Sequence, residues 1–84
     1  MNIGEAIQAL KAGKLVAREG WNGKNMHLYL EDGRMMPVRG GVYAGSKRIY
    51  DPVICMFTAK GTHQLGWLAS QADLLAEDWQ IVNG

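Results

Sequence analysis

The stretch Trp67-Leu68-Ala69-Ser70-Gln71-Ala72-Asp73-Leu74-Leu75-Ala76-Glu77-Asp78-Trp79 constrains the fold more than any other. It opens and closes on a tryptophan, and Ser70 and Asp73 stand ahead of the apolar run Leu74-Leu75-Ala76. A serine hydroxyl accepts from the free N–H groups of a first helical turn, and an acid at the third helical position complements the positive helix end. The pattern predicts a short helix beginning at Ser70. Two readings are open for it. One is a capped core helix with buried tryptophans. The other is a helix N-terminus beside an aromatic ring, which suits a phosphorylated, ring-bearing ligand.

Composition narrows the class. The chain has 84 residues, which predicts one domain over residues 1–84 with a marginal core of its own. Cys55 is alone, so there is no disulfide framework, and no Cys/His set has zinc spacing. Yet 48% of the residues are apolar, with three Trp and five Met. A small chain without staples often completes its burial against another copy, so a homo-oligomer is expected. The net charge of +1 comes from interspersed charges. This argues against a DNA- or RNA-coating surface and leaves room for a local basic pocket. Neither a signal peptide nor a membrane span is expected, and a lone Cys fits the cytoplasm.

Local patterns predict an α+β fold: a small antiparallel sheet with an N-terminal helix and a short second helix near the C-terminus. Ile3, Ile7 and Leu10 fall at helical spacing, with Asn2 placed to cap and Gly13 to end the helix. Strands are expected over 14–19 and 25–31, the latter with Met26, Leu28 and Leu30 on one face. Asp32-Gly33 signals a hairpin that returns 34–38 onto that strand, with Pro37 marking an edge or an early end. A short strand at 48–50, a central strand at 53–58, its partner at 62–68 and a closing strand at 79–82 complete the set. Leu74, Leu75 and Trp79 are expected in the core, and Cys55 as a buried structural thiol.

Catalytic patterns are missing. His27 and His63 stand apart on separate strands, and the adjacent acids Glu31-Asp32 and Glu77-Asp78 point apart. No nucleophile elbow, P-loop or metal-hydrolase motif is present. The distinctive material is aromatic. Trp21 sits between Gly20 and Gly23 in a turn, where it either covers one end of the core or offers its ring to a ligand. Indole faces stack on bases at roughly 1–3 kcal/mol each. A base between Trp21 and Trp67, with phosphate near the amides of Ser70, Gln71 and Ala72, makes a coherent site. Arg18, Arg39 and Arg48 are candidates for phosphate oxygens. The Gly-rich basic segment 39–47 is either a connection or a phosphate-wrapping loop. A chain this small would struggle to enclose such a ligand, which places the site where two copies meet.

Two blocks carry a family resemblance. Ala17-Arg18-Glu19-Gly20-Trp21-Asn22-Gly23-Lys24, followed by Met26 and Leu28-Tyr29-Leu30, resembles the N-terminal signature of the Thoeris anti-defence proteins of the second type. The block from Trp67 to Val82 is similar to that family's C-terminal signature. The resemblance is weak only across about 34–54. It implies a phage-encoded sponge: a small homotetramer that captures the cyclic ADP-ribose signal of bacterial TIR-domain enzymes between protomers, intact and without turnover. It implies no cofactor and no catalytic residues. Ring packing would carry over to Trp21 and Trp67, and polar contacts to Asn22, Ala69, Ser70, Gln71 and Asp73. Asp73 is expected to meet a ribose hydroxyl or its own helix amides, since a carboxylate repels pyrophosphate. Some members are reported to bind cyclic dinucleotides at a second site, for which Arg18, Tyr43, Lys47 and Arg48 are the candidates here. The competing readings are an enzyme that degrades cyclic nucleotides and a protein–protein inhibitor anchored by Trp21 and Trp67.

Overall fold

A computed structural model of the chain describes residues 1–21, 25–32, 35–37 and 47–82, with the backbone alone at 35–37 and 47–48. The first element is helix α1, Ile3–Lys11. Asn2 caps it reciprocally with Glu5: the Glu5 amide donates to Asn2 Oδ1 and the Asn2 amide to Glu5 Oε1, both at 2.9 Å. At its other end Gly13 adopts φ +85°. The Gly13 amide donates to the Leu10 carbonyl at 2.9 Å and the Lys14 amide to that of Ala9 at 3.0 Å. This paired closure requires a left-handed residue, which is why glycine stands there. Ala6, Ala9 and Leu10 are the buried face of the helix.

Strands β1 (Leu15–Arg18), β2 (His27–Glu31), β5 (Val53–Phe57), β6 (His63–Leu65) and β7 (Trp79–Val82) form a five-stranded sheet in the order β6-β5-β2-β1-β7. Every pairing in it is antiparallel. The fold is therefore α+β, as expected. Between β6 and β7 lies helix α2, Gln71–Leu75. The core joins α1 to one sheet face through Ala6, Leu10, Val16, Leu28 and Trp79. Cys55 is fully buried, and the register places it opposite Tyr29 and Leu65.

Three expectations are corrected. Of the segment 34–38, expected to return onto β2, the described residues 35–37 do not pair with it. Met35–Pro37 forms β3 and pairs instead with β4, Lys47–Ile49, in a separate two-stranded ladder. Both edges of β2 are already taken, by β1 and β5, and the turn residues Gly33 and Arg34 lie outside the described residues. The partner strand expected at 62–68 stops at Leu65, because Gly66 takes φ +82° and redirects the chain. Trp67 thereby donates its amide to the Ile54 carbonyl at 2.8 Å and joins the core side. Finally, Leu74 and Leu75 are not core: they are 42% and 78% exposed, and α2 buries no residue. A helix of barely more than one turn turns only one narrow face inward, and Ala76 rather than the leucines packs on the core. Trp79, in contrast, is buried as expected, with 2% exposed.

Candidate functional site

The pairing of the first strand with the last assembles the site. β1 and β7 run antiparallel with Arg18 opposite Trp79. The Glu19 amide donates to the Asp78 carbonyl at 3.1 Å, so the turn after β1 lies against the approach to β7. This register brings Trp21, near one end of the sequence, onto the two tryptophans near the other. The Trp21 ring lies 5.4 Å from that of Trp79 at 78°, and 6.4 Å from that of Trp67 at 62°. Trp67 and Trp79 stand 5.9 Å apart at 86°. All three contacts are edge-to-face, the arrangement the ring quadrupoles favour. Trp79 is buried at the centre, while Trp21 and Trp67 are half-buried.

This geometry corrects the expected sandwich as far as the rings of one copy are concerned. Two rings 62° apart do not present parallel faces, so Trp21 and Trp67 of one copy do not sandwich a base between them. A ligand ring has only their outward surfaces to stack on. Beside Trp67 opens an apolar cavity of about 180 Å³, lined by Ile3, Ile7 and Leu10 of α1 and by Ala69 and Leu74 among others.

Helix α2 is held by polar contacts. The Asp73 amide donates to Ser70 Oγ at 3.0 Å and the Ser70 amide to Asp73 Oδ2 at 2.9 Å, a complete reciprocal cap. Asp73 thus meets the amide of its own helix cap, one of the two kinds of partner expected for it. The Ser70 amide is thereby engaged, and of the amides expected near a phosphate those of Gln71 and Ala72 remain outside this pair. The buried indole of Trp79 donates from Nε1 to the Asp73 carbonyl at 3.0 Å.

Arg18 closes the arrangement. Its Nε donates to Asp78 Oδ1 at 2.9 Å and its Nη1 to Asp73 Oδ1 at 3.0 Å. The three side chains are mostly covered, with 23% of Arg18, 13% of Asp73 and 32% of Asp78 exposed. Partial burial pushes the Asp73 carboxyl up, but hydrogen bonds from the Ser70 amide, Arg18 and the Ser70 hydroxyl outweigh it and hold it below its ordinary value. Asp78 is held down chiefly by its hydrogen bond from Arg18. Arg18 is raised by its hydrogen bonds to Asp78 and then Asp73.

Of the first group of expected residues, Trp21, Trp67, Ala69, Ser70, Gln71 and Asp73 all belong to this corner. Ser70 and Gln71 are exposed, and Asn22 lies outside the described residues. Of the second group, Arg18 sits in this same corner and faces carboxylates. Tyr43 lies outside the described residues, and Lys47 and Arg48 belong to β4, where the backbone alone is described. Two residues are more central than their sequence patterns suggested. Trp79, expected as plain core, ties α2 to the sheet, and Asp78 anchors Arg18. No local spacing announces either role, since both depend on β1 lying beside β7. Among the described residues, no three His, Cys, Asp or Glu side chains gather as a metal site. No helix there is long and apolar enough to cross a membrane.

These features define a class: a small α+β domain in which an N-terminal turn and a capped C-terminal helix meet over a tryptophan cluster. Comparison with known proteins gives the family. The model of the Thoeris anti-defense 2-like domain matches residues 1–82. Thoeris anti-defense 2 of Bacillus phage SP01 is 40% identical over 86 residues, spanning 99% of this chain and 96% of that protein. The chain belongs to the Thoeris anti-defense 2-like family, as its two signature blocks led us to expect. Its functional class is phage anti-defense.

Proposed function

We propose that this protein is a sponge: it binds a cyclic ADP-ribose-type immune signal made by TIR-domain enzymes and keeps it from its effector without cleaving it. The tryptophan corner carries this reading. The two signature blocks of the family converge there, Trp21 and Trp67 keep part of their rings accessible, and an apolar opening adjoins them. The ligand's base stacks on the outward surface of Trp67 or Trp21, and a ribose hydroxyl donates to a remaining lone pair of Asp73. Phosphates lie away from α2, whose N-terminus already carries the Asp73 carboxylate.

Scale supports a shared site. A cavity of about 180 Å³ is smaller than the roughly 300–1,000 Å³ of small-molecule pockets, so one copy does not enclose a nucleotide. A second copy completes the wall, in a homo-oligomer that the family resemblance makes a tetramer. The protein acts in the cytoplasm of the infected cell. Sequestration works by mass action and requires tight binding and sufficient copies, not turnover. Cyclic dinucleotides are the candidate second ligands, at a site drawing on Tyr43, Lys47 and Arg48.

The test is direct. Cyclic ADP-ribose isomers and cyclic dinucleotides are screened by thermal shift, and any ligand that shifts the protein is incubated with it, released by denaturation and chromatographed. Unchanged ligand is expected. A converted product would make the protein an enzyme, and no shift with any nucleotide would favour a protein–protein inhibitor.

A further inference from the structure

Helix α2 poses a packing problem. None of its residues is fully buried, and Leu68, Leu74 and Leu75 in and beside it are 91%, 42% and 78% exposed. Apolar burial, the usual force that seats a helix, therefore does little to position the segment 68–75. The polar links that reach its Asp73 from outside the segment are the Trp79 indole and the Arg18 guanidinium. The indole grips a backbone carbonyl. Arg18 grips the side chain, and with the neighbouring arm of the same planar group it grips Asp78, just ahead of β7. One rigid fork thus spans two carboxylates that belong to different elements and fixes their separation.

We propose that Arg18 is a positioning residue: by bridging Asp73 to Asp78 it sets where the Trp67–Asp73 segment sits against Trp21, and it acts on the ligand only through Asp73. This deepens the sequestration reading and rests on it. It also assigns Arg18 a different task from pairing phosphate, since two arms of its fork already face carboxylates. Lysine cannot replace it, because a single ammonium on a flexible stem does not reproduce two hydrogen bonds at fixed angles.

The experiment is a double-mutant cycle on the full chain with Arg18→Met, Asp73→Asn and the pair, read by calorimetry with a cyclic ADP-ribose isomer and by amide exchange of α2. Arg18→Met weakens binding by about tenfold, whereas in the Asp73→Asn background the same change alters affinity by less than about twofold. Arg18→Lys restores only part of the loss. Amides of Asp73 and Leu74 exchange about tenfold faster in Arg18→Met while those of β2 are unchanged. The pH profile moves as well. The charged groups facing Asp73 are Arg18 and, across it, Asp78. Without Arg18 the Asp73 carboxyl protonates at higher pH, so affinity is lost earlier on acidification.

Losses that add fully in the double variant would mean that Arg18 touches the ligand directly, and unchanged α2 exchange would mean that it positions nothing. Either result overturns the proposal. Should Arg18→Met fail to fold, Asp78→Asn cuts one arm of the bridge alone and is read in the same way. Should the wild-type protein bind no such nucleotide, the sequestration reading falls, and the exchange measurements still decide whether Arg18 holds α2.

Discussion

At the scale of single residues, Trp79 is the most consequential side chain. Its ring fills the centre of the core and its Nε1 donates to the Asp73 carbonyl. Trp79→Phe keeps a ring there but leaves that carbonyl without its donor, which costs about 1–3 kcal/mol where water cannot replace it. The midpoint of urea unfolding should fall accordingly. Trp67→Ala and Trp21→Ala truncate half-buried rings and should preserve the circular-dichroism spectrum of the native sheet. Calorimetry then reads their function: both lose signal binding, and wild-type affinity in both would place the ligand elsewhere. Cys55 makes a simpler case. Its side chain is fully buried in an interior strand. Its thiol should resist an aromatic disulfide reagent in the native protein and react once urea unfolds the chain.

The carboxylates of the Arg18 bridge give a prediction in pH. Asp73 and Asp78 are both held below the ordinary value of 3.8. Where folded carboxyls titrate lower than unfolded ones, the unfolded chain binds more protons, and stability falls with falling pH. Their contribution is therefore fully present above the ordinary carboxylate range. It is lost as pH falls through that range and on through the folded values. Acid titration of stability should show this loss in wild type and a smaller one in Arg18→Met, measured by urea unfolding at successive pH values.

At the scale of elements, the ends of the helices are the best-specified parts. Asn2 with Glu5 and Ser70 with Asp73 form the same reciprocal cap in two places. The Ser70 box was legible because serine and the acid stand at the right spacing before an apolar run. Gly13 was legible as a stop because it follows the last apolar position of α1, and its φ of +85° supplies the reason. Nothing lies within 4 Å of where a Cβ would stand, so the cost of Gly13→Ala is conformational and not steric. It should destabilise the protein by about 1–2 kcal/mol, visible as a lower thermal midpoint. Helix α2 departs from the expected core helix for a physical reason. Leu74-Leu75 looks like core material, yet two consecutive positions on a helix point in different directions, and a five-residue helix has little length with which to bury both.

At the scale of the whole molecule, the exposed leucines acquire a use. Leu65, Leu68 and Leu75 are 67%, 91% and 78% exposed, a large apolar outlay for so small a domain. On the sequestration reading this material faces other copies of the chain. Leu68→Asp with Leu75→Asp should lower the mass measured by sedimentation equilibrium and weaken ligand binding together, because the site would lose its second wall. A wild-type protein that sediments as a monomer at micromolar concentration would remove that wall from the proposal.

The amino-acid sequence by itself determined what depends on neighbours along the chain: both helices with their caps, the closing strand, the burial of Cys55 and Trp79, and the two family signatures. Hydrogen bonds between residues a few positions apart and the alternation of apolar side chains are local, so the pattern contains them. The tertiary structure alone decided which strand lies beside which. β1 chose β7, and that non-local register set Arg18 between Asp73 and Asp78 and drew Trp21 onto Trp67 and Trp79. It also denied β3 a place on β2, whose edges were filled by β1 and β5. The edge-to-face angles among the tryptophans, which keep the rings of one copy from sandwiching a base, follow from packing around one buried ring and are written in no spacing of residues.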